Sequence, residues 1–339
     1  MSVVVDEPAV RDGGGTSRRR HGRTLTAVAL VLVFAVFPLF MSPFANLQVT
    51  LILVYAVAIL GLDILVGWTG QVSLGQSAFF GIGAYGVAAG AVHGWPVWAG
   101  LLLGTAVAGV VGCLVAIPAA RLRGYALGMI TLTLPVVAVP LAKRMEAVTG
   151  GAQGLNVTIV QAPAWTGLAA DQWRYYVVGV GAAIVFALAA ALRRGRFGRA
   201  FDAVRVNEAL ATAQGVHVTR YKVLAFTLSA VYGGVAGVLY VVAVQFISPE
   251  TLILTLSISM LAGLAIGGLR SLLGCVLGAA FYVVVPNLTG SVSAGQSYLL
   301  YGVCLLVVML LMPRGVAPAL GHAVRRVANR RERAAASGE

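Results

Sequence analysis

The chain has 339 residues, 59% of them hydrophobic and only 10% charged, with a mean hydropathy of +0.91. A soluble domain carries roughly 25% charged residues, so the composition excludes an ordinary soluble enzyme and predicts an all-α integral membrane protein. The net charge of +13 does not imply nucleic acid, because the arginines cluster between apolar runs without interleaved aromatics, the pattern that sets membrane topology.

In chain order, residues 1–23, with "GGGTS" and "RRRHGR", read as a disordered N-terminal tail. The run "TLTAVALVLVFAVFPLFM" that follows is long enough to span and shows no small-residue cleavage site, so it is taken as a retained helix rather than a secretory signal. A bilayer core of roughly 30 Å takes about 20 helical residues. On that ruler helices fall near 24–41, 48–67, 73–92, 96–118, 124–142, 173–192, 222–246, 252–269, 272–289 and 297–312. The glycine-rich segment 73–92 has the composition of a broken or partly re-entrant helix. About ten crossings with both termini cytoplasmic put all 24 basic residues on one side except Lys143, Arg144 and Arg174. The transmembrane region is then 24–312, followed by a basic cytoplasmic tail at 313–339. The longest cytoplasmic loop is 193–221 and the longest outer loop 143–172.

The cytoplasmic loop is polar, cationic and helix-prone, and longer than a connection requires. Gly195 and Gly198 interrupt the preceding helix. Asn207 suits the N-cap of a short helix 208–214, Glu208 suits its positive end, and Gly215 suits its C-terminal stop. Ala209, Ala211 and Ala213 would present small side chains to a partner's groove. Two readings fit these residues equally: an interfacial segment held by anionic lipid, or a docking element for another protein.

The stretch "GRAFDAVRVNEALATAQGVHVTRYK" decides between them by resemblance. Its Gly198, Arg199, Ala200, Arg205, Asn207, Glu208, Ala211, Gly215 and Lys222 match a motif of permease subunits of the branched-chain amino acid class of ABC importers. "GWTGQVSLGQSAFFGIGAYG", "GYALGMITLTL", "TGGAQGLNV" and "LAGLAIGGLRSLLGCVLGA" are similar to further segments of that family, over about residues 45–312. The resemblance implies a coupling loop at about 198–222, with Gly198, Arg199, Arg205, Asn207, Glu208, Ala211, Gln214 and Gly215 engaging an ATP-binding cassette ATPase subunit. It implies a second homologous permease subunit and an extracytoplasmic solute-binding protein as partners, in the lipid bilayer of a prokaryotic inner membrane. Two positions depart from the family pattern. "PVVAVPLAKR" follows "TLTL" where an acidic residue is usual, and Arg270 stands where a small residue is common.

The chain lacks a phosphate-binding G-x-x-x-x-G-K-[ST] loop, since neither lysine, Lys143 or Lys222, follows a glycine. ATP hydrolysis is therefore expected on a separate chain, and no enzyme activity here. His21, His93, His217 and His322 are scattered, and Cys113, Cys275 and Cys304 lie in apolar runs, so neither a metal site nor a cofactor is expected.

Candidates for the solute path are Gln71, Ser73, Gln76 and Ser77 in the glycine-rich segment, where a broken helix would line a polar cavity, and Thr131 and Thr133. For each, a bond to a neighbouring helix or to its own backbone is the competing reading. Asp63 is the sole carboxylate well inside a predicted span, which marks it as a functional candidate, either as a structural partner for a buried arginine or as an ion carrier. The glycine sets Gly233, Gly234, Gly237 and Gly263, Gly267, Gly274, Gly278 read as packing faces. Lys143, Arg144, Glu146 and Asp171 in the outer loop are candidates for contact with a binding protein. The expectation is a permease subunit that carries a branched-chain amino acid or a similar small polar nutrient. The alternative is an ion-coupled secondary transporter using Asp63.

Overall fold

A computed structural model describes residues 34, 36–122, 125–292, 297–311 and 315–319. The chain divides into two units, Met1–Pro43 and Phe44–Glu339. In the first unit residues 36–40 are helical. The predicted tail 1–23, most of the predicted helix 24–41 and most of the tail 313–339 lie outside the described residues.

The second unit is a helical bundle. Helix α1 (Pro43–Leu62) continues into a π-helical turn, Asp63–Trp68, and is followed by α2 (Gln76–Val92), α3 (Val97–Ala119) and α4 (Tyr125–Arg144). Then come α5 (Ala170–Arg194), the short α6 (Arg196–Val206) and α7 (Glu208–Ala213), and α8 (Val218–Val244). Helices α9 (Leu254–Gly267), α10 (Leu272–Val292) and α11 (Ser297–Leu311) complete the described order. Among the described residues five segments are long and apolar enough to cross a membrane: Pro43–Trp68, Val97–Ala119, Ala126–Arg144, Ala170–Arg194 and Val218–Val244. The protein is therefore an all-α, multi-pass membrane protein. Its one described sheet is a two-residue ladder, β1 (Leu155–Asn156) antiparallel to β2 (Phe246–Ile247).

Helix α2 is shorter than the segment 73–92 read from sequence because residues 70–75 are not helical. Gly70 turns the chain there with φ 75°, and Gln71 and Ser73 stay buried within the bundle. An irregular stretch at this depth survives only where protein supplies its hydrogen bonds.

Helices α1 and α8 form the inside of the bundle, with Val54, Ala56, Val57, Ala58, Ile59 and Leu60 fully buried. Helix α5 instead shows Val180, Ile184 and Leu188, spaced four apart, as an exposed stripe. In a bilayer such a stripe faces lipid, and helices associate through close packing rather than through expulsion of water. The glycines supply that closeness. A Cβ on Gly104 would lie 2.6 Å from the Gly83 carbonyl oxygen, and one on Gly83 would overlap the Gly234 backbone, so α2, α3 and α8 touch main chain to main chain. Gly267 with Gly274, and Gly263 with Gly278, join α9 to α10 in the same way.

Candidate functional site

The end of α1 is organised around Asp63, which is 0% exposed. Its Oδ2 accepts the Trp68 indole N–H at 3.0 Å, and its Oδ1 accepts the Arg270 backbone N–H at 2.7 Å. A buried carboxylate is tolerable only with such partners, and the guanidinium groups of Arg193 and Arg205 are the nearby positive charges. The π-turn brings Trp68 back onto Asp63, five positions earlier. Arg270 occupies the turn between α9 and α10 with φ 65°, a conformation rare for a non-glycine residue, which directs its N–H to the carboxylate. Arg193 donates to the Arg270 carbonyl and lies 5.8 Å over the Trp68 ring. The carboxylate is thus held by an indole and a backbone N–H, not by the buried arginine side chain expected as its partner.

Helix α6 rests on that end. Phe201 and Val204 are buried, with the Phe201 ring 6.5 Å from Trp68 and 6.1 Å from Tyr221. Arg205 donates to the Gly67 carbonyl and Asp202 pairs with the Arg270 guanidinium. Gly198 is required because a Cβ there would overlap the Arg193 carbonyl, while Arg199 is exposed. Helix α6 ends at Asn207, whose side chain accepts the N–H groups of Ala209 at 2.9 Å and Leu210 at 3.2 Å and so starts α7. Gly215, at φ 81°, lets the chain leave α7 through a left-handed step. Gln214 is exposed just before it. Glu208 forms an ion pair at 2.5 Å with Lys222, whose side chain is only 6% exposed.

One expectation for this loop is corrected. Ala211 does not face outward with Ala209 and Ala213 but is 2% exposed. In so short a helix residue 211 falls on the side opposite 209 and 213, at about 100° per residue. The apolar side chains displayed on the loop are Val206 and Leu210, 81% and 59% exposed.

Most polar side chains proposed for the solute path are engaged within the bundle. Gln76 donates to the Ala58 carbonyl at 3.0 Å and accepts from the Ser229 hydroxyl at 3.2 Å. Ser257 donates to the Ser77 hydroxyl at 2.8 Å, and the Ser257 hydroxyl also accepts the Ser77 N–H at 2.9 Å. Gln71 donates to Thr69 at 2.9 Å, and Ser73 accepts the Gly75 N–H at 3.3 Å. Thr131 donates to the Gly128 carbonyl and accepts the Leu74 N–H, both at 3.0 Å. Thr133 bonds its own helix at Ile130 and lines a cavity of about 720 Å³ between α2, α3 and α4. Phe79, Ile82, Val107, Val137 and Leu141 dominate its walls, and no charged side chain lines it. A smaller polar cavity of about 570 Å³ lies beneath α7, lined by Arg121, Asn207, Glu208, Thr212, Thr219 and Lys222.

Reasoning from sequence alone overlooked Trp68, Arg193 and Asp202, and treated Arg270 only as a departure from pattern. The available signal was an acid inside a predicted span with several arginines at the nearby helix ends. Val206 and Leu210 left no comparable signal, since Asn207 breaks the helix between them and the loop holds other apolar residues such as Phe197 and Phe201.

Residues 46–312 match the protein family described as "Branched-chain amino acid transport system / permease component". The chain is 28% identical over 320 residues to the high-affinity branched-chain amino acid transport system permease protein LivM of Salmonella typhimurium, covering 87% of this chain and 75% of that one. LivM of Escherichia coli strain K12 matches at the same identity and coverage. The autoinducer 2 import system permease protein LsrC of Klebsiella pneumoniae is 35% identical over 101 residues, 28% of this chain and 29% of its own. The chain therefore belongs to the family of branched-chain amino acid transport system permease components.

Proposed function

We propose that this chain is the membrane-spanning permease of an ABC importer for a branched-chain amino acid or a similar small polar nutrient, with ATP hydrolysis on a separate subunit. The observation that carries the coupling part is the loop at 198–222. It departs from the apolar bundle, carries the family's motif, and takes the form of two short helices that display Val206 and Leu210. Apolar side chains on a polar, solvent-facing element suit a protein partner better than water. Gly198, Arg199, Arg205, Asn207, Glu208, Ala211, Gln214 and Gly215 build or frame that surface. The chain crosses an inner membrane with about ten helices and both termini in the cytoplasm, beside a second permease and beneath an extracytoplasmic binding protein.

The solute path follows α2 and α4, the helices that carry Gln76, Ser77, Thr131 and Thr133, with Gln71 and Ser73 at its base. The apolar cavity between α2, α3 and α4 suits an aliphatic side chain. When ATP draws two motor subunits together, the loop is displaced and the helices rooted beneath it switch access from one side to the other. The ion-coupled alternative loses its support because Asp63 is fully buried and both carboxylate oxygens are hydrogen-bonded.

The test is uptake of radiolabelled leucine, isoleucine or valine by cells that express the transporter. Uptake should persist when an ionophore collapses the ion gradients and stop when ATP is depleted. Uptake that stops with the gradients while ATP remains high would contradict the proposal.

A further inference from the structure

Six residues from four separate parts of the chain meet at the foot of the loop. Asp63 holds Trp68 through one oxygen and the Arg270 peptide through the other. Those two partners are also where α6 attaches. Trp68 lies against Phe201, and the Arg270 guanidinium pairs with Asp202. Arg193, from the last turn of α5, closes the group by donating to the carbonyl of Arg270. Arg205 adds a further tie, to the carbonyl of Gly67. The Arg270 residue is thus held at its N–H, its C=O and its side chain.

Neither hydrogen bond of the Asp63 carboxylate goes to α6, whose Arg205 is only a nearby positive charge. The carboxylate fixes the two supports on which α6 rests, one at the end of α1 and one at the turn joining α9 to α10. A short helix joined to a bundle by a single chain connection would swing freely, and force applied to it would be lost in bending. Here α6 is tied sideways through Phe201 to Trp68 and to Tyr221 of α8, through Asp202 to Arg270 and through Arg205 to Gly67, and the ties to Trp68 and Arg270 pass through groups that Asp63 orients. Buried polar groups that are fully bonded rigidify their surroundings, and a partly bonded network does not.

We infer that Asp63 is a positioning residue for energy coupling, pinning α6 to the ends of α1 and of the α9–α10 turn so that force on the loop reaches these membrane helices as one body. The inference rests on the docking function proposed above and assigns a task to a residue that touches neither motor nor solute. It also gives Arg270 a task that a small residue cannot perform.

The experiment uses the chain assembled with its ATPase subunits. Spin labels are placed at positions 196 on α6 and 273 on α10, both exposed, and the distance between them is measured with and without ATP. Wild type should give one narrow distance that ATP leaves unchanged. Asp63→Asn removes the second acceptor oxygen and turns an amide N–H toward the Trp68 N–H, so the distance should broaden and become ATP-dependent. Trp68→Phe should do the same to a smaller extent.

Because a change at a buried site risks misfolding, the measurement is repeated on Asp202→Arg and Arg270→Asp, whose parent side chains are 50% and 39% exposed. Each alone should loosen the distance, and the two together should restore it, which a general loss of packing would not do. A wild-type distance that changes with ATP, or single variants that behave as wild type, would overturn the inference while leaving the docking function intact. A wild-type chain that binds no ATPase would overturn both.

Discussion

Lys222 and Glu208 form an ion pair at 2.5 Å in which the lysine is buried and the glutamate half-exposed. The pair ties the first residue of α7 to the second turn of α8, so the loop helix is anchored to the membrane helix that follows it. Breaking such a pair from one side differs from removing its buried charge. Glu208→Gln leaves an ammonium group buried without a counter-charge and should cost about 2 kcal/mol, below the 3–5 kcal/mol of a fully buried pair because Glu208 reaches water. Lys222→Met removes the buried charge and should cost less. Thermal unfolding in detergent measures the order, and a Lys222→Met variant less stable than Glu208→Gln would contradict it.

Asn207 is exposed, yet its side chain accepts two backbone N–H groups at the start of α7. Asn207→Ala should cost about 1 kcal/mol, confined to the loop. Hydrogen exchange at Ala209 and Leu210 should accelerate while exchange in α1 and α8 stays unchanged. Asn207→Asp should retain most of the protection.

Thr131 and Thr133 look alike in "TLTLP", but their surroundings differ. Thr131 is fully buried and accepts the Leu74 N–H of the extended segment. Thr131→Val strands that N–H and should cost about 1–3 kcal/mol. Thr133→Val loses only a bond to its own helix and should stay within about 0.5 kcal/mol of wild type. The pair of melting temperatures decides the point.

Val206 and Leu210 are the large apolar side chains exposed on the loop. Replacing Leu210 with Asp should leave the melting temperature nearly unchanged, because the side chain has little packing to lose. It should weaken ATPase binding by at least about tenfold if it acts as an interface anchor, where truncations cost about 2 kcal/mol or more. Titration of purified ATPase subunit against the two forms in nanodiscs gives the ratio.

The positions of α1 to α5 and of α8 to α11 were legible because each is a long apolar run, and hydropathy is a local property. The loop's cap and stop were legible for the same reason, since Asn207 and Gly215 act on backbone within three residues of themselves. The Asp63 group was not. Its oxygens bind a residue 5 positions away and another 207 positions away, and only the close approach of α9 and α10 through their glycines brings Arg270 there. A positive φ at a non-glycine residue leaves no trace in a single sequence. The outward face of α7 was misjudged because alternate residues were grouped as one face, whereas at about 100° per residue Ala211 lies opposite Ala209 and Ala213.

If the loop at 198–222 docks a separate motor, its exposed apolar side chains lie against that motor in the membrane. A photo-crosslinking amino acid placed at position 210, with one at the exposed Leu188 of α5 as control, tests it in the intact membrane. Position 210 should capture an ATP-binding cassette ATPase subunit, identified by mass spectrometry, and position 188 should not. Capture of lipid alone at position 210, in cells where the chain is folded and the ATPase is present, would contradict docking.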